Sequence, residues 1–257
     1  MYRIDDCRKL VFALGIAVIA TTSGMAGQLE PPPWPVTPTG RFGPRIDVLS
    51  LPGDATATRV ISQPGSYYLS GELDGAAGKT GIRIDANFVN LDLGGNFVIY
   101  NPAGTLDGIL VNSGDMVSIS NGSVFGFGGS GIKIIAGSNF TIRDVTVQGC
   151  SRWGMDFNSA PVPRNLTVVD CFVRLNTLGG IAADSSLSVS NTQVTQNSGI
   201  GIFVNNVGNI FNNVVRNNSG AGISCNTQCL IRGNESQANT GANIIAGPQS
   251  TVIENNQ

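Results

Sequence analysis

Between Asn176 and Ile244 a short motif returns at a constant spacing of 21 residues. The recurring positions are four asparagines and three glycines: Asn176, Asn197, Asn218 and Asn239, and Gly180, Gly201 and Gly222. A constant period of this length is typical of a solenoid, in which each repeat is one small structural unit stacked on the next. The repeat therefore predicts a chain that grows coil by coil.

The same units can be followed back along the chain by their Gly-Ile or Gly-Met starts. These fall at Gly81, Gly108, Gly131, Gly154, Gly180, Gly201 and Gly222, with Asn243 in the eighth place, in steps of 21 to 27 residues. Apolar and polar residues alternate within each step, so Ile132, Ile134 and Ile142 are predicted to face inward. Lys133 and Arg143 are predicted to face outward. Because Asn, Gly and β-branched residues oppose a helical solenoid, the prediction is an all-β parallel β-helix of about eight coils, with three short strands per coil.

Two early segments resemble the right-handed parallel β-helix repeats of the pectin-lyase-like superfamily. They are Gly81-Ile82-x-Ile84 and Val89-x-Leu91-Asp92-Leu93-x-Gly95, and the later Asn-x-x-x-Gly-Ile units continue them. The segment from Ile61 to Leu69 resembles the first segment of many secreted bacterial members. The resemblance covers about residues 60–257 and implies a right-handed coil. It implies no single activity, because the superfamily includes lyases, hydrolases, esterases, epimerases and adhesins.

The residues before the repeat predict an export signal and a linker. Residues 1–26 combine the basic Arg3, Arg8 and Lys9 with an apolar run over residues 10–20 and a small-x-small ending, as in a signal peptide. The apolar run is too short to span a bilayer, so the protein is expected to be secreted, periplasmic or at the cell surface. Residues 27–58 are predicted to be a Pro-rich extension. Residues 59–257 are predicted to form the β-helix, with residues 59–80 as an N-terminal cap built on a strand, a Pro-Gly turn and a second strand.

The cysteines and the overall charge exclude several classes of partner. Four cysteines remain after the leader, and Cys225 and Cys229 are close enough in sequence for a local disulfide, with two buried free thiols as the alternative. The sequence has no histidine, which disfavours a zinc site. A net charge of −2 offers no basic patch for a phosphate backbone, so nucleic acid is not an expected partner.

The charged residues are concentrated in the middle coils, which makes this region the candidate site. They are Lys133, Arg143, Asp144, Arg152, Asp156, Arg164, Asp170 and Arg174. The recurring asparagines, in contrast, are expected to be structural, because side-chain amides stacked from coil to coil can hydrogen-bond to one another and Asn tolerates tight turns.

Asp144 and Asp170 occupy equivalent positions in two similar segments on neighbouring coils. Equivalent positions on stacked strands are about 5 Å apart, close to the carboxylate separation of a retaining glycosidase. In an enzyme these two residues would act as acid/base or nucleophile, and Arg143 or Lys133 would neutralise a carboxylate of the substrate.

Substrate binding is predicted for Trp153, Arg152 and Asp156, because an aromatic face suits a sugar ring and the charged neighbours suit its polar groups. The insertion at residues 160–164 would form one wall of a groove beside them.

A second interpretation assigns these residues no chemistry. Asp144 and Asp170 would then continue a column of turn residues that includes Asn121 and Asn191, and Lys133 and Asp156 would neutralise each other.

Calcium is the metal that the oxygen ligands of Asp144, Asp156 and Asp170 would suit. The sequence has no repeated Asp-rich turn motif that would support such a site, so no cofactor is predicted.

These patterns predict a protein that binds or acts on polysaccharide outside the cytoplasm, as a lyase, a glycoside hydrolase or an epimerase. The alternative is a non-catalytic structural or adhesive rod. A groove lined by the candidate residues would favour the first interpretation, and a flat face with Lys133 paired to Asp156 would favour the second. The strand-like Thr251–Ile253, with no capping element after it, also predicts end-to-end self-association through an open strand edge.

Overall fold

The computed structural model describes residues 44–95, 98–100 and 106–253. The predicted signal peptide and most of the predicted linker lie outside these residues. In the described part, one short 3-10 turn (Val48–Ser50) accompanies 22 strands. In chain order the strands are β1 Ile46–Asp47, β2 Ala57–Ile61, β3 Gly65–Tyr68, β4 Leu73–Asp74, β5 Thr80–Ile84, β6 Val89–Asp92, β7 Val98–Tyr100, β8 Ile109–Val111, β9 Gly114–Phe125, β10 Ile132–Ile134, β11 Gly137–Gln148, β12 Trp153–Phe157, β13 Arg164–Val169, β14 Phe172–Arg174, β15 Gly179–Ser190, β16 Gln193–Thr195, β17 Ile200–Phe211, β18 Val214–Arg216, β19 Ile223–Arg232, β20 Glu235–Gln237, β21 Ile244–Ala246 and β22 Thr251–Ile253.

The strands stack in three parallel faces, which confirms the predicted parallel β-helix. Face A contains β2, β5, β8, β10, β12, the first parts of β15, β17 and β19, and β21. Face B runs from β1 through β3 and β6 to β22, and includes the first parts of β9 and β11. Face C runs from β4 to β20 and includes the last parts of β9 and β11. Face A has nine stacked strands in the described residues, one more than the eight coils predicted.

The additional coil comes from the segment that was predicted to be a hairpin-like cap. β2 and β3 do not pair with each other. Each pairs in parallel with the next coil, β2 with β5 and β3 with β6. They therefore form the first coil. At the N-terminal end of the solenoid the core is covered by β1 and the 3-10 turn, whose Val48 is fully buried.

The core is a set of apolar rows that run along the solenoid axis. One row on face A joins Ile82, Ile109, Ile132, Met155, Ile181, Ile202 and Ile223 in register, and every member is fully buried. Ile134 and Ile142 are buried as well, as the alternation predicted. Burying a side chain of this size contributes about 1.5–3 kcal/mol relative to leaving it exposed, so each row stabilises the contact between successive coils.

The corners between faces depend on residues in the left-handed backbone conformation. At the corner between faces B and C they are Gly95, Asn121, Asp144, Asp170, Asn191, Asn212 and Gly233, with φ between 51° and 81°. Gly, Asn and Asp adopt this conformation at lower cost than other residues. The composition of this corner is thus explained by backbone geometry.

Two asparagine ladders run through the interior. Oδ1 of Asn197 accepts hydrogen bonds from the backbone N–H and from Nδ2 of Asn176, both at 3.0 Å. Asn218 and Asn239 continue the same pattern, which confirms the predicted structural role of this column. The second ladder, which was not predicted from the sequence, joins Thr192, Asn213 and Asn234.

The glycine at the start of each coil allows close approach between coils. A Cβ added to Gly180 would collide with the side chain of Val194 and with the carbonyl oxygen of Gly201 on the following coil. The recurring glycine is therefore a packing requirement. No helix in the described part of the chain is long and apolar enough to cross a membrane.

Candidate functional site

Two outward positions of face A, together with the turns that precede its strands, bring together a charged cluster from three consecutive coils. We call this set the face-A cluster, and its members are Asp107, Ser130, Lys133, Arg152 and Asp156. Lys133 and Asp156 are direct partners in the register of β10 and β12. Asp107 and Ser130 precede the face-A strands of their own coils. The alternation that turns Ile132 inward thus turns Lys133 toward the cluster.

Asp156 is the most buried ion of the face-A cluster. Its side chain is 6% exposed, and Nζ of Lys133 lies 3.9 Å from its Oδ2. The hydroxyl of Ser130 lies 3.4 Å from the same oxygen, and the backbone N–H of Asn158 donates to Oδ1 at 3.1 Å. These contacts give the buried side chain polar partners at a site where an unpaired ion would be costly.

Asp107 lies in a different environment. Burial raises the pKa of its carboxyl, and the negative charge of Asp156 raises the pKa further. The backbone N–H of Ser130, which donates to Oδ1 of Asp107 at 2.7 Å, and the charges of Lys133 and Arg152 oppose this shift. The cluster therefore contains two carboxyl groups with unlike environments: Asp107 has a raised pKa, and Asp156 lies beside Lys133.

Asp107 was not among the residues predicted from the sequence. The only sequence signal is its position directly before Gly108, equivalent to Ser130 before Gly131 on the next coil. Its contacts come from residues much later in the chain, so its burial could not be inferred from its neighbours in sequence.

Trp153 lies at the edge of the same face. It is the register partner of Gly179 on the next coil, and a Cβ added to Gly179 would collide with the six-membered part of its ring. The indole is half-buried. One side of the ring is thus fixed against the solenoid next to Arg152.

Asp144, Asp170 and Arg143 form a separate group at the corner between faces B and C. Arg143 pairs with Val169 in the strand register, which makes Asp144 and Asp170 neighbours on adjacent coils, as predicted. Both have positive φ, 53° and 54°. Nε of Arg143 lies 3.6 Å from Oδ2 of Asp144, with both side chains 58% exposed. Such an exposed ion pair contributes about 0–1 kcal/mol.

The calcium site considered for Asp144, Asp156 and Asp170 is not formed, because Asp156 lies on face A and the other two lie at the corner between faces B and C. Within residues 44–95, 98–100 and 106–253, no group of three or more Cys, Asp or Glu residues is arranged to hold a metal ion.

The four cysteines of the described chain divide into one pair and two separate thiols. Cys225 and Cys229 form a disulfide with their Cα atoms 6.3 Å apart, across the corner between faces A and B. Cys150 and Cys171 are free and buried. Burial raises the pKa of Cys150 to about 11 and that of Cys171 to about 12, so both thiols are poor nucleophiles in the folded protein.

Comparison with known proteins supports the fold. A family model described as a right-handed β-helix region matches residues 107–257. No curated protein matches the sequence. Among solved structures, the Dettilon tailspike protein is 16% identical with a TM-score of 0.55, over 75% of this chain and 50% of that protein. The A-module of the mannuronan C-5 epimerase AlgE6 of Azotobacter vinelandii is 14% identical with a TM-score of 0.53, over 84% of this chain and 76% of that module.

The enzymatically active domain of tailspike protein 2 of bacteriophage CBA120 is a third similar structure. It is 15% identical with a TM-score of 0.54, over 82% of this chain and 38% of that domain. The chain thus spans about half the length of the first tailspike and less of the second. At these identities the likeness concerns the fold.

Proposed function

The chain belongs to the right-handed β-helix family, and we propose that it binds a polysaccharide on the outer surface of its coils, outside the cytoplasm. The observation that carries the proposal is the face-A cluster beside Trp153. Only 12% of the residues are charged, yet four charged side chains from three coils meet on this face. One similar structure is named for action on mannuronan and another for an enzymatically active tailspike domain, which is consistent with a polymer laid along the coils.

The chemistry of the face-A cluster suits a sugar. The indole of Trp153 offers an apolar plate for the carbon face of a pyranose ring. The exposed Arg152 and the partly exposed Lys133 can donate hydrogen bonds to sugar hydroxyls or to an acidic substituent. Because the surrounding strands are rigid, these groups need little reorganisation to bind. The insertion at residues 160–164 joins β12 of face A to β13 of face B, at one edge of this surface.

Catalysis is the second candidate function, and the unlike environments of Asp107 and Asp156 favour it. Asp107, whose pKa is raised, would donate a proton to the leaving oxygen of a glycosidic bond. Asp156 with Lys133 would act as the charged partner. Asp144 and Asp170 are the second proposed pair, with Arg143 beside them. The reaction would be lyase, glycoside hydrolase or epimerase chemistry.

The non-catalytic rod is favoured by the contact between Lys133 and Asp156, since a neutralised pair offers less to a substrate. End-to-end self-association belongs to this alternative. The last described strands expose Ile245, Val252 and Ile253 at 47%, 42% and 39%. A concentration-dependent sedimentation coefficient would support association, and a constant monomer value would contradict it.

The test is a glycan array together with a polysaccharide-degradation screen of the full chain. The variants are Asp107→Asn with Asp156→Asn, and Asp144→Asn with Asp170→Asn. Asparagine fits the positive φ of the second pair, so the corner is preserved. The exposed Asp74→Asn is the matched control.

Binding that is altered in the first double variant, but not in the control, would support the proposal. Degradation lost in one double variant would assign catalysis to that pair. A wild-type protein that binds and degrades no glycan would overturn the proposal in favour of the rod.

A further inference from the structure

The outer side of face C carries a shallow hollow that is separate from the face-A cluster. Its volume is about 420 Å³, and Ser123, Val124, Phe125, Thr146, Gln148 and Arg174 line it. These residues belong to β9, β11 and β14, which are paired in register on three consecutive coils. Two outward rows form the hollow: Ser123, Thr146 and Phe172 in one, and Phe125, Gln148 and Arg174 in the other.

Arg174 is held in a fixed position in this hollow. Its Nε donates to Oε1 of Gln148 at 2.6 Å, and its guanidinium carbon lies 4.9 Å from the centre of the Phe172 ring. Within the described residues, no Asp or Glu forms an ion pair with Arg174. A half-buried guanidinium that is oriented but lacks a counter-ion is suited to receive an anion.

The other residues of the hollow are suited to the rest of a sugar. Ser123 and Thr146 present hydroxyl groups on the two coils before that of Arg174, and no hydrogen bond within the described part of the chain uses the amide nitrogen of Gln148, which can donate. The rings of Phe125 and Phe172 supply apolar surface for the carbon face of a pyranose. A single anion would need only the guanidinium, so this combination favours an anion that is attached to a sugar.

We propose that the hollow around Arg174 binds an oxyanion group carried by a glycan, either a carboxylate or a sulfate ester. The planar guanidinium binds such a group through two parallel hydrogen bonds from the nitrogens that Gln148 does not use. The site lies on a different face from the face-A cluster, so it gives the protein a second contact with its ligand. The inference rests on the proposed function only in that the ligand is a glycan.

The test measures binding of three trimers to the full chain by calorimetry: glucuronic acid, sulfated glucose and unmodified glucose. The variant is Arg174→Gln. The matched control is Arg216→Gln, because Arg216 is an outward residue two coils further along the same row, outside the hollow, and lies 3.9 Å from Glu235. A third variant, Arg174→Lys, keeps the charge but removes the planar fork. Circular dichroism verifies that each variant is folded.

We expect one or both acidic trimers to bind more tightly than the glucose trimer, and the two acidic trimers to identify the oxyanion. Arg174→Gln is expected to weaken acidic binding about 10- to 100-fold, the effect of losing a hydrogen-bonded charge, with a smaller loss in Arg174→Lys and little change in Arg216→Gln. The Nε–H resonance of Arg174 should shift on binding.

Two results would overturn the inference. Acidic and neutral trimers that bind equally, with no effect of Arg174→Gln, would remove the oxyanion site but leave the proposed polysaccharide function intact. Failure of all three trimers would also overturn the inference, and the glycan array would then decide separately whether the proposed function fails too.

Discussion

Replacing Asn197 by alanine tests whether the inner ladder stabilises the solenoid. Asn197 is 1% exposed and lies in the middle of the first ladder. Its Oδ1 is the acceptor for two N–H groups of Asn176, and its Nδ2 donates to Oδ1 of Asn218 and to the carbonyl oxygen of Val173. Alanine removes all four hydrogen bonds without changing the backbone.

The expected loss follows from the groups that are left without a partner. Both N–H groups of Asn176 lose their acceptor in a fully buried position, and each such group costs about 1–3 kcal/mol. The free energy of unfolding should therefore fall by about 4 kcal/mol. A water molecule in the vacated space would move the loss toward 2 kcal/mol, because it can accept one of the two bonds.

Urea denaturation followed by circular dichroism measures this loss, provided that the m-value is unchanged. The matched control is Asn206→Ala, which removes an exposed amide that makes a single 3.5 Å contact with the carbonyl oxygen of Asp184. The control should lie within about 0.5 kcal/mol of wild type. If Asn197→Ala were no less stable than Asn206→Ala, the ladder would not contribute to stability.

Three further predictions concern packing, protonation and thiol reactivity. Gly180→Ala should lower the free energy of unfolding by about 1–3 kcal/mol in urea, because its Cβ collides with the next coil; an unchanged midpoint would contradict this. Between pH 3.8 and the raised pKa of Asp107, the folded protein keeps a proton that the unfolded chain releases, so stability falls as pH rises through this window. Asp107→Asn should reduce that fall above pH 3.8, and the exposed Asp74→Asn is the control. Cys150 and Cys171 should react with a thiol reagent only after unfolding; rapid labelling of the native protein would count against their burial.

The fold could be predicted because its two signals are local. The constant 21-residue period predicts the coil, and the strict alternation of apolar and polar residues predicts which side chains face inward. Neither prediction needs knowledge of a distant contact. The first coil was missed because it begins at Ala57 without a Gly-Ile start, and because Pro64 and Gly65 are typical of a hairpin turn. Whether two neighbouring strands pair with each other or with later strands depends on residues far away in the sequence, in this case β5 and β6.

Only those residues of the candidate site that occupy equivalent positions on neighbouring coils could be predicted from the sequence. The contact between Lys133 and Asp156 follows from their equivalent positions, and so does the proximity of Asp144 to Asp170. Asp107 could not be found in this way, because its environment depends on side chains from two later coils. The same is true of Arg174, whose fixed position depends on Gln148 and Phe172.

The hydrogen bonds of the asparagine ladders also have a direction along the solenoid axis. In both ladders every Oδ1 accepts from the coil before it. Nδ2 of Asn197, Asn213 and Asn218 donates to the next asparagine and also to a backbone carbonyl oxygen of the preceding coil. Dipoles aligned head to tail in a poorly solvated interior reinforce one another. The amide-to-amide hydrogen bonds of the two ladders therefore all run in one direction along the axis, a polarity that no count of charged residues would reveal.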